Sequence, residues 1–180
     1  KHLHAGRAAE AGVVAADLAA YGFTGPAYIL EGGKGFFAAA CPDAAPARVL
    51  ESPDAPWQLT RTSIKPWPSC RHTHPAIDAA LEIQERLAGQ DVRDVRIETY
   101  GAALGLCDNA TPRSEYEAKF SLHHCVAAAL ADGHVTLDSF DGPARERLAS
   151  LRSRVSAAAT EEFDVSYPNG WGARVSVRTA

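Results

Sequence analysis

The chain has 180 residues, 46% of them hydrophobic and 22% charged, which is enough to bury the core of one domain or of one domain and part of another. A net charge of -4, a pI near 6.0 and basic residues scattered along the chain argue against a nucleic-acid partner. No apolar run approaches the ~18 residues of a membrane span, so we expect no membrane partner and a cytoplasmic location.

Two further features of the composition bear on the protein's context. The four cysteines, Cys41, Cys70, Cys107 and Cys125, are widely spaced. Because none of them forms a CxxC pair, the sequence favours free thiols over a zinc site or a redox dithiol. The chain contains no Met and opens at Lys1, so we expect an internal segment of a longer polypeptide whose active site is completed elsewhere.

The first part of the chain is predicted to be helical. Residues 4–20 are rich in Ala and place Val14, Leu18 and Tyr21 at helical spacing before a glycine stop. A stripe of small residues on this helix predicts a partner helix. A short helical segment is predicted over 35–40, and the proline-rich residues 41–56 are predicted to be a loop between two structural units.

The rest of the chain mixes strand and helix patterns. Strands are predicted at 57–64, 92–100, 163–167 and 173–178, the last two as a hairpin, with a strand or extended link at 134–140. Helices are predicted at 75–88, 114–131 and 144–155, and residues 101–113 read as a loop. Ser114 and Glu117 have the spacing of a capping box. We therefore predict an α+β fold, a sheet with packed helices preceded by a helical unit.

The stretch from Lys65 to Leu81, KPWPSCRHTHPAIDAAL, holds most of the unusual chemistry. Its prolines keep the first half extended, and a helix is predicted to begin at Pro75. The free N–H groups of a helix start attract anions, and Lys65, Arg71, His72 and His74 add cationic or proton-donating side chains beside them. This arrangement indicates a carboxylate or phosphate site. The alternative is a loop-to-helix junction whose histidines only cap and hydrogen-bond.

Three other features favour structural roles. His123 and His124 are adjacent on a predicted helix, where side chains diverge by ~100°, so they are better explained as core or surface histidines than as metal ligands. Lys119 is predicted to be structural, and the arginines of residues 144–155 are predicted to form a solvated face. Cys70 is not expected to act as a covalent nucleophile.

Three blocks of the sequence together resemble one enzyme family. They are KHLHAGRAAEAGVVAADLAAYGFTGPAYILEGGKGFF, KPWPSCRHTHPAIDAAL and TPRSEYEAKFSLHHCVAAALADGHV. In order and spacing they are similar to the MmgE/PrpD family, which includes 2-methylcitrate dehydratase, cis-aconitate decarboxylase and iminodisuccinate epimerase. The resemblance runs over essentially the whole chain.

The resemblance implies a larger, two-domain enzyme. Residues 1–45 would be the end of an all-helical domain and residues 46–180 an α+β lid, so the remaining helical domain of the same polypeptide is an expected partner. Family members are typically homodimers and work without a metal, an iron–sulfur cluster or another cofactor. Their substrates are small di- or tricarboxylates.

The resemblance also implies a reaction and a set of site residues. The positions that match the family's motifs are Lys1, Lys65, Cys70 and His74, with Arg71 and His72 as second contacts. Lys1 and Lys65 would bind carboxylates, Cys70 would lie in the substrate site, and His74 would be the acid–base group. Cys70 replaces a histidine of the decarboxylase branch, and Leu106 stands where that branch has a tyrosine.

These departures favour a hydro-lyase. The expected function is metal-independent dehydration of 2-methylcitrate, as in propionate metabolism, or of a similar hydroxy-polycarboxylate. The alternatives are an isomerase that epimerises a dicarboxylate such as iminodisuccinate, and an inactive fragment that lacks the main helical domain.

Overall fold

The computed structural model describes residues 2–41, 43–50, 56–87 and 89–180, and their contacts divide the chain into two compact units, 1–62 and 63–180. In the first unit, α1 spans His2–Ala20 and α2 spans Phe36–Ala40, followed by 3-10 turns at Pro46–Leu50 and Gln58–Arg61. Both helices agree with the predicted ones, and residues 3–20 of α1 are exposed. None of the helices in the described ranges is both long and apolar enough to cross a membrane.

The strand predicted at 57–64 is wrong. Residues Gln58–Arg61 form a 3-10 turn, in which both the backbone N–H and the hydroxyl of Thr60 donate to the Trp57 carbonyl, at 2.9 and 2.7 Å. A side chain that bonds to its own backbone in this way offers the chain a local alternative to a sheet. The alternating apolar residues at 57–64 therefore do not form a strand of the sheet.

The second unit is an α+β fold, as predicted. Its strands are β1 Val92–Thr99, β2 Val155–Ala159 and β3 Ala173–Thr179. Its helices are α3 His74–Leu87, α4 Gly101–Cys107, α5 Glu115–Ala118, α6 Leu122–Asp132, α7 Gly142–Arg147, α8 Ala149–Arg152 and α9 Glu161–Ser166. The sheet order is β2-β1-β3, with β1 parallel to β2 and antiparallel to β3. Helices α3 and α6 pack together, α3 against β3 and α6 against β2.

The core lies between these helices and one face of the sheet. Along β1, the buried residues Val95, Ile97 and Thr99 alternate with more exposed ones, as a half-covered strand requires. Residues 122–130 of α6 are all buried, so this alanine-rich helix is the centre of the core. Gly133 ends it at φ +67°, in the left-handed region where glycine is favoured.

The helix predicted at 114–131 is two helices. Ser114 caps α5 by accepting from the Glu117 N–H at 3.1 Å, which places the predicted cap correctly. The chain then turns at Ser121, whose hydroxyl accepts from the His124 N–H and donates to the Asn109 carbonyl. This second cap, tied to a distant loop, starts α6 in a new direction.

Four other local predictions are wrong in whole or in part. The residues expected as a loop at 101–113 contain α4, and the link at 134–140 contains a 3-10 turn, Leu137–Phe140, closed by a capping box. The helix predicted at 144–155 is α7 and α8, and β2 begins at its last residue. Residues 163–167 lie mostly in α9, whose first turn is rich in acids that suit the positive end of a helix. The hairpin is therefore absent, because β3 pairs with β1 instead.

Candidate functional site

Residues 65–74 form a loop that is pinned to the core at several points. The Cys70 N–H donates to the Lys119 carbonyl at 2.8 Å, and the Thr73 hydroxyl donates to the Cys70 carbonyl at 2.8 Å. Residues Arg71–Thr73 make a 3-10 turn that runs directly into α3, so the helix begins at His74, one residue before the predicted start. Five of the six predicted site residues share this loop, whereas Lys1 lies outside the described residues.

The two cations of the loop bind its own backbone. Lys65 is exposed and its Nζ donates to the Ser69 carbonyl at 3.1 Å. Arg71 is half-buried and donates to the Ser63 carbonyl, also at 3.1 Å. Neither cation forms an ion pair within the described part of the chain, so both can bind an incoming anion.

His74 is buried, with 6% of its surface exposed. Its Nε2 finds no hydrogen-bond partner among the described residues. Burial lowers the pKa of His74, and the charges of Arg71 and Lys65 lower it further. The imidazole is therefore neutral at ordinary pH and has one ring nitrogen free for a ligand.

A cleft of about 820 Å³ opens beside His74. Its polar lining is Ser63, Arg71, His74, Asp78 and Glu82, and Trp171 covers one side. Asp78 is held in place because its Oδ1 accepts from the Trp67 indole N–H at 2.8 Å. The cleft thus combines one cation, one neutral imidazole and two carboxylates, and Lys65, Cys70 and His72 are not part of its lining.

His72 belongs to a cluster of aromatic rings. Its Nδ1 lies 2.9 Å from the Tyr100 hydroxyl, and its ring stacks on Trp171 with centroids 4.7 Å apart. The Tyr167 ring stacks on the Tyr100 ring, with centroids 4.6 Å apart. Burial raises the pKa of Tyr100, so its phenol stays protonated and bonds to the His72 ring. This hydrogen bond and the stacking on Trp171 fix the orientation of the His72 ring.

Cys70 lies in the most unusual electrostatic environment of the loop. A hydrogen bond from the Cys107 thiol lowers the pKa of Cys70 to about 5, with help from the His72 backbone N–H and the charge of Lys65. Burial instead raises the pKa of Cys125 to about 12. The surroundings of these two buried thiols therefore shift their pKa values in opposite directions, and those of Cys70 favour the thiolate.

The pairing of β1 with β3 explains why Tyr100 and Trp171 lie close together. Tyr100 follows the last residue of β1, and Trp171 stands two residues before β3, whose first residue pairs with Thr99. Gly172 allows a close approach here, since a Cβ at this position would lie 2.7 Å from the Phe163 ring. Sequence reasoning missed Tyr100, Tyr167 and Trp171. The available signal was that Tyr100 and Tyr167 are each the last residue of a predicted strand.

His123 and His124 lie in the core. His123 bonds to the Val155 carbonyl and to Asp108, and His124 bonds to the Ser139 carbonyl at 2.7 Å. Each ring has its own partners, as the divergence of neighbouring side chains on a helix requires. In the described part of the chain, no three His, Cys, Asp or Glu side chains are grouped closely enough to hold a metal.

Comparison with known families matches both parts of the chain. The profile of the MmgE/PrpD C-terminal domain covers residues 67–180, and that of the MmgE/PrpD N-terminal domain covers residues 1–48. The chain belongs to the MmgE/PrpD family. The C-terminal profile includes most of the candidate loop and all three strands, so the unit at 63–180 is in essence an MmgE/PrpD C-terminal domain.

Individual MmgE/PrpD relatives agree with this assignment. The chain is 32% identical to human cis-aconitate decarboxylase over 152 aligned positions, and 31% identical to the mouse enzyme over 151. Each alignment covers 78% of this chain and 30% of the relative. The chain therefore spans about a third of the length of the curated relatives that it matches. The division between residues 45 and 46 that the sequence predicts remains a prediction.

Proposed function

We propose that the protein is a lyase of the MmgE/PrpD type that acts on a small di- or tricarboxylate. One observation supports this most strongly: the 65–74 loop carries two cations without ion pairs among the described residues, the buried neutral His74, and His72 bonded to Tyr100 at the end of β1. Cations and N–H donors are the groups that hold carboxylates and absorb the charge that develops on them during elimination. Membership in a family with lyase relatives agrees with this proposal.

Each loop residue has a proposed role. Lys65 and Arg71 bind substrate carboxylates, together with Lys1. The neutral His74 is the acid–base group, because a group with a lowered pKa can accept a proton at neutral pH and return it to a leaving hydroxyl. His72 and Cys70, which do not line the cleft in this structure, are proposed as further substrate contacts.

We propose dehydration of 2-methylcitrate or of a similar hydroxy-polycarboxylate as the reaction, without a metal. The proton next to a carboxylate is removed, the hydroxyl leaves as water, and a double bond forms. The thiol of Cys70 and the exposed aliphatic side chain of Leu106 support this choice, because neither can serve as the imidazole or phenol expected of the decarboxylase branch.

A second candidate is decarboxylation of cis-aconitate. The identity of 32% to human cis-aconitate decarboxylase favours it. Full-length protein would be given 2-methylcitrate, citrate or cis-aconitate, and both the absorbance of an unsaturated product and released CO2 would be followed. Absorbance without CO2 is the expected result. Release of CO2 from cis-aconitate would favour the second candidate, and deuterium exchange from heavy water without elimination would favour an epimerase.

The site assignment is tested by substitution. Lys65→Ala and His74→Ala should each lower turnover, His74→Ala by about 10²–10⁴-fold, since that is the range of general acid–base catalysis. Circular dichroism and thermal unfolding should show an intact fold. Arg86→Ala is the control because it removes an exposed cation from the same helix, α3. Near wild-type rates in both site variants would remove the loop from the mechanism.

A further inference from the structure

Two cysteines that are distant in sequence are brought into contact in the second unit. Cys70 immediately precedes the 3-10 turn Arg71–Thr73, and Cys107 is the last residue of α4. This turn packs against α4, and the Cys107 thiol donates a hydrogen bond to the Cys70 sulfur. The absence of a CxxC spacing therefore does not exclude a dithiol here.

The two thiols differ in accessibility. Cys107 is fully buried, whereas Cys70 retains 9% of its surface and lies in the candidate loop. The His72 backbone N–H and the charge of Lys65 lower the pKa of the Cys70 thiol. Of the two cysteines, only Cys70 keeps exposed surface, so we infer that an oxidant reaches Cys70 first and that Cys107 lies behind it.

We propose that Cys70 and Cys107 form an oxidation-sensitive pair, in which Cys70 reacts with a peroxide and Cys107 then closes an internal disulfide. The inference rests on the geometry of the two thiols and does not depend on the proposed reaction. Cys125, buried in the same core and hydrogen-bonded to the Ala118 carbonyl, takes no part.

The chemistry balances in two steps. The Cys70 thiolate attacks one peroxide oxygen, the O–O bond breaks, and Cys70 becomes a sulfenic acid while hydroxide takes up a proton and leaves as water. The Cys107 sulfur then attacks the Cys70 sulfur, an S–S bond forms, and the sulfenic hydroxyl leaves as a second water. Two electrons pass from the thiols to the peroxide. A dithiol reductant reverses the bond.

The lowered pKa of Cys70 sets the choice of assay. At pH 7 a thiol with a pKa of about 5 is ~99% ionised and one with a pKa of 9.0 only ~1%. The intrinsic nucleophilicity of the thiolate falls by about 40–100-fold over the same change in pKa, so the two effects nearly cancel in the rate at pH 7. The informative quantity is the pH at which alkylation is half-maximal.

The test uses full-length protein and hydrogen peroxide. After substoichiometric oxidation, peptide mass mapping should find a Cys70–Cys107 link two hydrogens lighter than the reduced pair, and dithiothreitol should remove it. In Cys107→Ser the link should be absent and dimedone should trap sulfenic acid at Cys70. Cys125→Ser is the matched control and should keep the wild-type link.

Alkylation of the wild-type protein by iodoacetamide requires no variant to fold. Half-maximal alkylation of Cys70 near pH 5, rising by at least one pH unit in Cys107→Ser, supports the pair. A midpoint for Cys70 near pH 9, or peroxide linking Cys70 to a different cysteine, would overturn it.

Discussion

The buried His124 predicts how stability depends on pH. Its Nε2–H donates to the Ser139 carbonyl at 2.7 Å, and its Nδ1 faces the Arg152 guanidinium at 3.5 Å. The neutral ring satisfies both contacts, whereas a second proton on Nδ1 would face a cation. Burial lowers the pKa of His124 most, and Arg152 and Arg145 lower it further.

The sign and magnitude follow from linkage. The unfolded chain binds a proton at this histidine near pH 6.5, while the folded chain keeps it neutral to lower pH. The contribution of His124 to stability is thus unchanged above pH 6.5 and becomes unfavourable as the pH falls below it. RT ln(1 + 10^(6.5 − pH)) is the upper bound of this cost, so it is at most about 1.4 kcal/mol at pH 5.5 and below ~0.1 kcal/mol at pH 7.5.

His124→Gln should remove this dependence and keep the bond to Ser139, because a glutamine amide also donates. Urea unfolding at pH 7.5 and 5.5 should show the wild type losing more stability than the variant between the two pH values, by up to about 1.4 kcal/mol. His134→Asn, which removes an exposed imidazole just beyond α6, is the control. An identical loss in His124→Gln and the wild type would refute the argument that burial keeps His124 neutral.

Two further substitutions probe the supports of the site. Tyr100→Phe keeps the stacked ring but removes the hydrogen bond to His72, so thermal unfolding should show a loss of about 0.5–1.5 kcal/mol. Ser121→Ala leaves the buried His124 N–H and a loop carbonyl without their partner, so urea unfolding should show a loss of about 1–3 kcal/mol. Ser114→Ala, at an exposed cap, should cost less, and an equal loss in both serine variants would contradict the role of burial.

A strand can be predicted when its own residues favour it, but not when pairing with a distant strand stabilises it. Strands β1 and β3 carry β-branched residues at alternate positions, and both were predicted. Strand β2 has the sequence VSAAA, which locally suits a helix, and it becomes a strand through its parallel pairing with β1. Residues 163–167 alternate Phe, Val and Tyr yet lie mostly in α9, because no neighbouring strand pairs with them. Pairing partners far away in sequence are invisible to a local pattern.

Only the part of the candidate site that is contiguous in sequence could be predicted. Residues 65–74 are contiguous, so their chemistry could be seen in the sequence, and the structure does place them in one pinned loop. Tyr100, Cys107 and Trp171 reach the loop only through the packing of β1, α4 and β3. These residues orient the His72 ring and lower the pKa of Cys70, so this part of the site could not be predicted from a local pattern.

The local geometry of the loop also decides which of its side chains act together. In a 3-10 turn, residues three apart point the same way and their neighbours point ~120° away. Arg71 and His74 are three apart and share the cleft, while His72 between them turns towards Tyr100 and Trp171. One cation and one neutral imidazole therefore line the cleft, while the second imidazole packs among the aromatic rings at the end of β1. Trp171 stacks on His72 and also lines the cleft, so it links the two groups.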